Sequence, residues 1–217
     1  MHEDRWDHRR MLTASITFAL AAALIVLLPG PDTLVVLRNL IRGGRRTASL
    51  TVVGVLSGLT VWVGAAAFGL AAVLHASEDA YTALRVTGAC YLLWLGIQTL
   101  RTRSAPELLT VDAVSPRRRW LGSGYSAGLA TDLLNPKVGV FFVTFLPGFV
   151  PSGEPVGLAS LTFGAIFVVE TALYFGLLLF LAGRIGRWMR DPRIRRRLDW
   201  ATGTVLIGFG VRLAVEQ

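Results

Sequence analysis

Residues 133 to 142, LLNPKVGVFF, set an amide, a proline and an ammonium inside an otherwise lipid-soluble stretch, and PGPD at 29 to 32 sets a carboxylate after two prolines inside another. Lys137 is the sole lysine among 22 basic side chains, all others being arginine. A compact ammonium can surrender its proton where a guanidinium cannot, so the choice of Lys at this position points to chemistry rather than charge alone. Lys137 could bind a substrate carboxylate or pair with Asp32 or Asp132. Asp32, directly after Pro31, could cap the helix that follows or accept a substrate ammonium. Two further acids, Asp132 in ATDLLNP and Glu170 in FVVETALYFG, sit in apolar surroundings and are candidates, with Asp32, for carrying protons. A charged side chain at mid-helix depth in a bilayer costs about 2.5 to 3.5 kcal/mol on insertion scales. Four together cost roughly 10 kcal/mol if left alone, comparable with the stability of a whole domain. They must be paired, hydrated or neutralised.

The chain around them is a membrane protein by composition. Of 217 residues, 53% are hydrophobic and 17% charged, with a mean hydropathy of +0.55; soluble domains carry about 25% charged residues. The formal charge of +8 comes from arginine clusters between apolar runs, with no aromatic-interleaved basic face, so it marks membrane flanks and not a nucleic-acid surface. Cys90 lies alone in an apolar run, and His2, His8 and His75 are isolated. No metal set or cofactor motif is present, and neither GxSxG nor HExxH occurs, so an enzyme is not expected.

A spanning helix needs about 20 apolar residues. Six segments qualify: Met11 to Leu37, interrupted at PGPD; Thr47 to Leu74; Leu84 to Leu100; Trp120 to Phe149, interrupted at NPK; Pro155 to Gly183; and Leu198 to Val215. The first is too long for a signal-peptide core and lacks a cleavage site, so it is read as a retained helix. The segments after the first, third and fifth spans hold four, five and seven arginines, whereas the alternate segments are nearly bare. The positive-inside rule makes the rich loops cytoplasmic and puts both termini outside, against a weak opposing signal from three arginines in the first ten residues.

The expected fold is therefore an all-α integral membrane protein of one domain, residues 1–217. Repeat one covers about 11–100, a cytoplasmic linker 101–119, and repeat two about 120–215. With three helices per half, the second half enters from the opposite side, which predicts two inverted three-helix repeats. GPD and NPK fall in the first helix of each half, so helices one and four are expected to be broken. Proline removes a backbone donor and clashes with the preceding turn, and the freed carbonyls persist in a membrane only where they line a cavity. Half-helices starting near Thr33 and Val138 would aim their N-termini at that cavity, which suits a carboxylate. An ordinary kink that only shapes packing is the competing account. GVLSG at 54 to 58 and GYSAG at 124 to 128 are GxxxG patterns for close helix contact, either within the chain or across a homodimer.

With PGPDTLVVLRNLIRGGRRTA, GACYLLWLGIQTLR, LLNPKVGVFFVTFLPGFV and RRRLDWATGTVLIGFGVRLA in hand, the chain resembles the LysE/RhtB family of lysine/threonine exporter translocators over nearly its whole length. The resemblance implies a bacterial inner-membrane exporter of amino acids or close derivatives driven by the proton gradient; the expected mechanism is alternating access around a midplane site bounded by the two broken helices. It supports substrate contacts from Pro31 and Asp32 in the first motif, with Thr33 beside them, and from Asn135, Pro136 and Lys137 in the second. It does not extend to Asp132 or Glu170, where the family more often looks uncharged. The alternative is a channel or an ion or toxicant efflux protein on the same scaffold.

Overall fold

In the computed structural model, residues 8–70, 78–101, 122–151 and 153–181 are described, together with scattered positions between 193 and 211. They are helical throughout, with no strand among the described residues. The linker 102–119 lies outside them, as does most of the expected sixth span.

Helix α1, His8–Leu27, ends where the chain meets two prolines. Pro29 cannot donate a hydrogen bond and biases Leu28 away from helical geometry. Helix α2, Pro31–Ala65, restarts at once with Gly30 as an extended N-cap and Pro31 in the first turn, where its missing N–H costs nothing. The new half-helix thus begins two residues before the expected Thr33.

A straight 35-residue helix would run about 52 Å, far more than the roughly 30 Å of a hydrocarbon core. Helix α2 does not run straight. Gly44 takes φ 72° and ψ −173°, a left-handed conformation that favours glycine. The chain folds back there, because Asn39 Nδ2 donates to Thr51 Oγ1 at 2.8 Å although twelve positions separate them. This corrects one expectation: RNLIRGGRR is not a loop but the end of one helical arm, a one-residue turn and the start of the next. A π turn, Ala66–Leu70, continues the second arm.

Helix α3, Glu78–Arg101, covers the third expected span. Helix α4, Tyr125–Leu133, crosses the second arm of α2 backbone to backbone. A Cβ on Gly54 would strike the Tyr125 carbonyl, and one on Gly128 would strike the Thr51 carbonyl. The two GxxxG patterns are therefore used inside the chain. After α4 the path bends by 50° into α5, Pro136–Val140, which is followed by a π turn, Phe141–Phe145, and a 3-10 turn, Leu146–Phe149. Helix α5 likewise starts at its proline, not at Val138. Helix α6, Val156–Phe180, completes the described set.

Among the described residues, three helices are long and apolar enough to cross a membrane, and a fourth crossing results if the bent α4 and α5 are one span. Large apolar side chains cover the outside, including Leu20, Leu173 and Phe180, the last 76% exposed. Inside, phenylalanines tie α1 to the second half: Phe18 stacks on Phe163 at 4.8 Å and meets Phe149 edge-on at 5.4 Å. Apolar surface on both the inside and the outside is the pattern of a multi-pass membrane protein.

Candidate functional site

The two proline breaks face each other. Asn135, 3% exposed and wedged between α4 and α5, works in two directions. Its Oδ1 accepts from the main-chain N–H of Lys137 at 3.1 Å, capping α5. Its Nδ2 donates to Asp32 Oδ2 at 2.6 Å, joining the start of α5 to the start of α2 across 103 positions of sequence. The asparagine thus serves as an N-cap and as a bridge between the halves.

Lys137 reaches across the same break. Its Nζ donates to the carbonyls of Ile25 at 2.8 Å and Leu28 at 2.9 Å at the end of α1, where the Ile25 carbonyl also accepts from the Leu28 N–H at 3.3 Å. Two of the three ammonium donors are thereby occupied. Among the described residues no ion pair within 4.0 Å joins Lys137 to Asp32 or Asp132. The direct pair expected as one option is replaced by a bond to the helix end, where a cation also meets the negative end of the dipole.

Between these groups lies a cavity of about 40 Å³. Its walls are Ile25, Leu28 and Gly30 from the first break, Asp32, Thr33 and Leu59 from α2, Asp132 and Asn135, Lys137 and Val138 from α5, and Phe167, Thr171, Tyr174 and Phe175 from α6. That space accommodates a few waters, and the cavity is partly open to its surroundings. Thr33 Oγ1 and Tyr174 Oη stand 3.3 Å apart in one wall.

Asp132 is fully buried, and neither carboxylate oxygen has a hydrogen-bond partner. Asp32 Oδ1 is likewise buried and unpartnered. A Cβ on Gly58 would meet the Asp132 carboxyl, so the missing side chain makes room for the acid. The Trp62 indole N–H donates to the Asp132 carbonyl at 3.4 Å, which steadies the end of α4. With both acids ionised and Lys137 protonated, the charged groups of the wall sum to one negative charge.

Of the residues singled out in the sequence, Asp32, Thr33, Asp132, Asn135 and Lys137 share this cavity. Pro31 and Pro136 are exposed and absent from its wall; they act by ending one helix and starting another. Glu170 does not line it either, although its Oε2 is buried without a partner. Sequence reasoning missed Tyr174, Thr171 and Phe167. They lie at helical spacing of four and three on α6, a signal that the apolar residues on every side of that helix obscure.

Comparison with known proteins agrees with this architecture. The family model described as LysE type translocator matches residues 23–217. The chain is similar to the threonine efflux protein of Escherichia coli strain K12, at 30% identity over 210 residues, covering 95% of this chain and all of the relative. It is also similar to the homoserine/homoserine lactone efflux protein of Salmonella typhi, at 28% identity over 91% of this chain and 94% of the relative. A third relative is the uncharacterized membrane protein YrhP of Bacillus subtilis strain 168, at 26% identity over 90% of this chain and 95% of its own. No solved structure matches the chain. With its helical membrane architecture and a match over nearly its full length, the chain belongs to the LysE type translocators, which are transporters and not enzymes.

Proposed function

We propose that the chain exports amino acids or close derivatives across the bacterial inner membrane, as a secondary carrier that exchanges substrate for protons by alternating access. The observation that carries this reading is the Asn135–Asp32 hydrogen bond, which brings the chain's two proline-broken segments to one largely apolar cavity that holds Asp32, Asp132, Asn135 and Lys137. Broken helices that meet at mid-depth are a recurrent way to build a solute site where lipid satisfies no backbone group. Support for the substrate class comes from relatives named for threonine and homoserine efflux.

In this reading the six expected spans form two inverted three-helix repeats with both termini outside. The first repeat supplies Asp32 and Thr33, with Pro31 setting the start of their helix, and the second supplies Asn135 and Lys137, with Pro136 doing the same. Asp32 receives the substrate ammonium, and the free N–H of Lys137 and the Thr33–Tyr174 hydroxyls meet the carboxylate. Asp32, Asp132 and Glu170 are the proton-carrying candidates. Access alternates in this reading by separating α2 from α5 on one side or the other.

The test is counterflow in liposomes holding the purified chain, using labelled threonine and homoserine with and without an imposed proton gradient. Saturable exchange that a proton gradient accelerates supports the carrier. Flux that never saturates assigns a channel instead, and no flux above protein-free liposomes removes the substrate class.

A further inference from the structure

A continuous set of phenylalanine rings runs from the cavity toward one end of the helices. Phe141 and Phe167 belong to the cavity wall, with ring centres 4.7 Å apart. From Phe141 the contacts pass to Phe145 at 5.2 Å and Phe18 at 5.8 Å, and both of these touch Phe149. Phe18 and Phe163, stacked on each other, are fully buried. The direction is the same on all three elements that carry the rings. On α1, Phe18 precedes the cavity residues Ile25 and Leu28; on α6, Phe163 precedes Phe167 and Thr171; beyond α5, Phe145 and Phe149 follow Val138 and Phe141. The rings therefore cover the cavity on the side where α1 and α6 begin. The loop at that end, PGFVPSGEP, holds no arginine or lysine, as expected of a non-cytoplasmic face. None of these side chains offers a polar atom, so a hydrated solute has no partner along that path.

We infer that this phenylalanine layer is the gate on the release side of the cavity, opened when the segment Phe141–Phe149 moves off Phe18 and Phe163. The inference rests on the export reading and names the residues that hold one side shut. Two observations distinguish the layer from static packing. First, the segment that carries its central rings is not regular α-helix. Phe141–Phe145 is a π turn and Leu146–Phe149 a 3-10 turn, and π turns inside helices occur frequently at functional sites. Converting the π turn to α geometry shifts every residue beyond it by one position in the helical register, about 100° around the axis. Such a shift carries Phe145 and Phe149 away from Phe18. Second, the other π turn, Ala66–Leu70, packs on this one and on α6. It lies at the same end, since a Cβ on Gly157, in the first turn of α6, would stand 3.3 Å from the Ala67 carbonyl. Two adjoining irregular turns let the segment change register while α1 and α6 stay helical.

Thiol labelling of the full-length chain in liposomes tests the gate without any substrate. On a Cys90→Ala background, Thr171→Cys sets a thiol in the cavity wall and Glu154→Cys sets one in the loop before α6. A membrane-impermeant methanethiosulfonate reagent is supplied on the face from which it reaches Glu154→Cys. Adding Phe18→Ala to the Thr171→Cys chain should speed its modification from that face about tenfold or more, because a lost ring opens the layer. The rate at Glu154→Cys should not change. Phe163→Leu, which keeps an apolar side chain, should act in the same direction and covers a failure of Phe18→Ala to fold. Leu178→Ala, in the core toward the other end of α6, should leave the Thr171→Cys rate unaltered. In the unsubstituted chain, amides of Phe141–Phe149 should exchange with deuterium about tenfold or more faster than those of equally buried positions in α6. Equal protection, equal acceleration by Leu178→Ala, or no acceleration by either phenylalanine variant overturns the gate while leaving the export reading in place. If the phenylalanine variants speed labelling but the wild type exchanges no amino acid in liposomes, the layer stands as a seal and the export reading falls.

Discussion

Asn135 donates to Asp32 across 2.6 Å while its other amide atom caps the helix that carries Lys137. One side chain thus fixes the start of α5 and orients the acid at the start of α2. Asn135→Ala removes the cap, worth about 1 kcal/mol, and leaves a buried carboxylate oxygen without its donor, at about 1 to 3 kcal/mol. Transport should fall by about tenfold or more, read as initial counterflow rate per folded protein. Unchanged rates would show that the bridge has no part in turnover.

Lys137 offers a sharper chemical test. Its ammonium fits between the Ile25 and Leu28 carbonyls, 2.8 and 2.9 Å away. Lys137→Arg keeps the charge but brings a planar fork too large for that seat. Transport per folded protein is expected to drop at least tenfold. Lys137→Met should lower the thermal midpoint as well, because the end of α1 loses its donors. Full activity in Lys137→Arg would mean that charge alone suffices.

The crossing of α2 and α4 should tolerate no added atoms. A methyl at Gly54 points at the main-chain carbonyl of Tyr125, whereas one at Gly58 points at the buried side chain of Asp132. Gly54→Ala is therefore expected to destabilise by about 1 to 3 kcal/mol, seen as a lower melting midpoint in detergent. Gly58→Ala should lower the midpoint less and transport more. The reverse ranking would contradict the crossing described here.

Tyr174→Phe removes only the hydroxyl 3.3 Å from Thr33 Oγ1. A neutral hydrogen bond contributes about 0.5 to 1.5 kcal/mol, so folding should be unaffected and the apparent affinity for substrate should weaken about two- to tenfold. Saturation curves of both proteins decide it. Identical curves would leave that wall without a role in recognition.

Gly44 is expected to resist substitution for a conformational reason. A left-handed backbone costs other residues about 1 to 2 kcal/mol, and β-branched ones more. Gly44→Val should therefore lower the melting midpoint although nothing lies within 4 Å of a Cβ built there. A midpoint equal to that of the wild type would mean that the turn adapts.

Much of the site was legible because its signals are local. Proline marks a helix end whatever surrounds it, so the breaks before Pro31 and Pro136 could be placed to within two residues, and a charge in an apolar run stands out by its cost. The hairpin at Gly44 was not legible, since glycines between arginines read as a loop whether or not the helices close around them. The partners of Lys137 were also hidden: main-chain carbonyls carry no sequence signature, and aspartates were the only partners the sequence offered. Tyr174 and Thr171 escaped notice because lipid and cavity both accept an apolar helix, so α6 has no polar face to show which side turns inward.

The hairpin of α2 also implies an order of assembly. The Asn39–Thr51 bond closes a segment of twelve positions, whereas Asn135 and Asp32 stand 103 apart. Short closures cost less chain entropy and complete sooner. During synthesis the two arms can therefore lock while the ribosome is still making α3, presenting Gly54 and Gly58 as a finished groove. Helix α4 then docks against a preformed template, which brings Asp132 to the cavity before α6 is made.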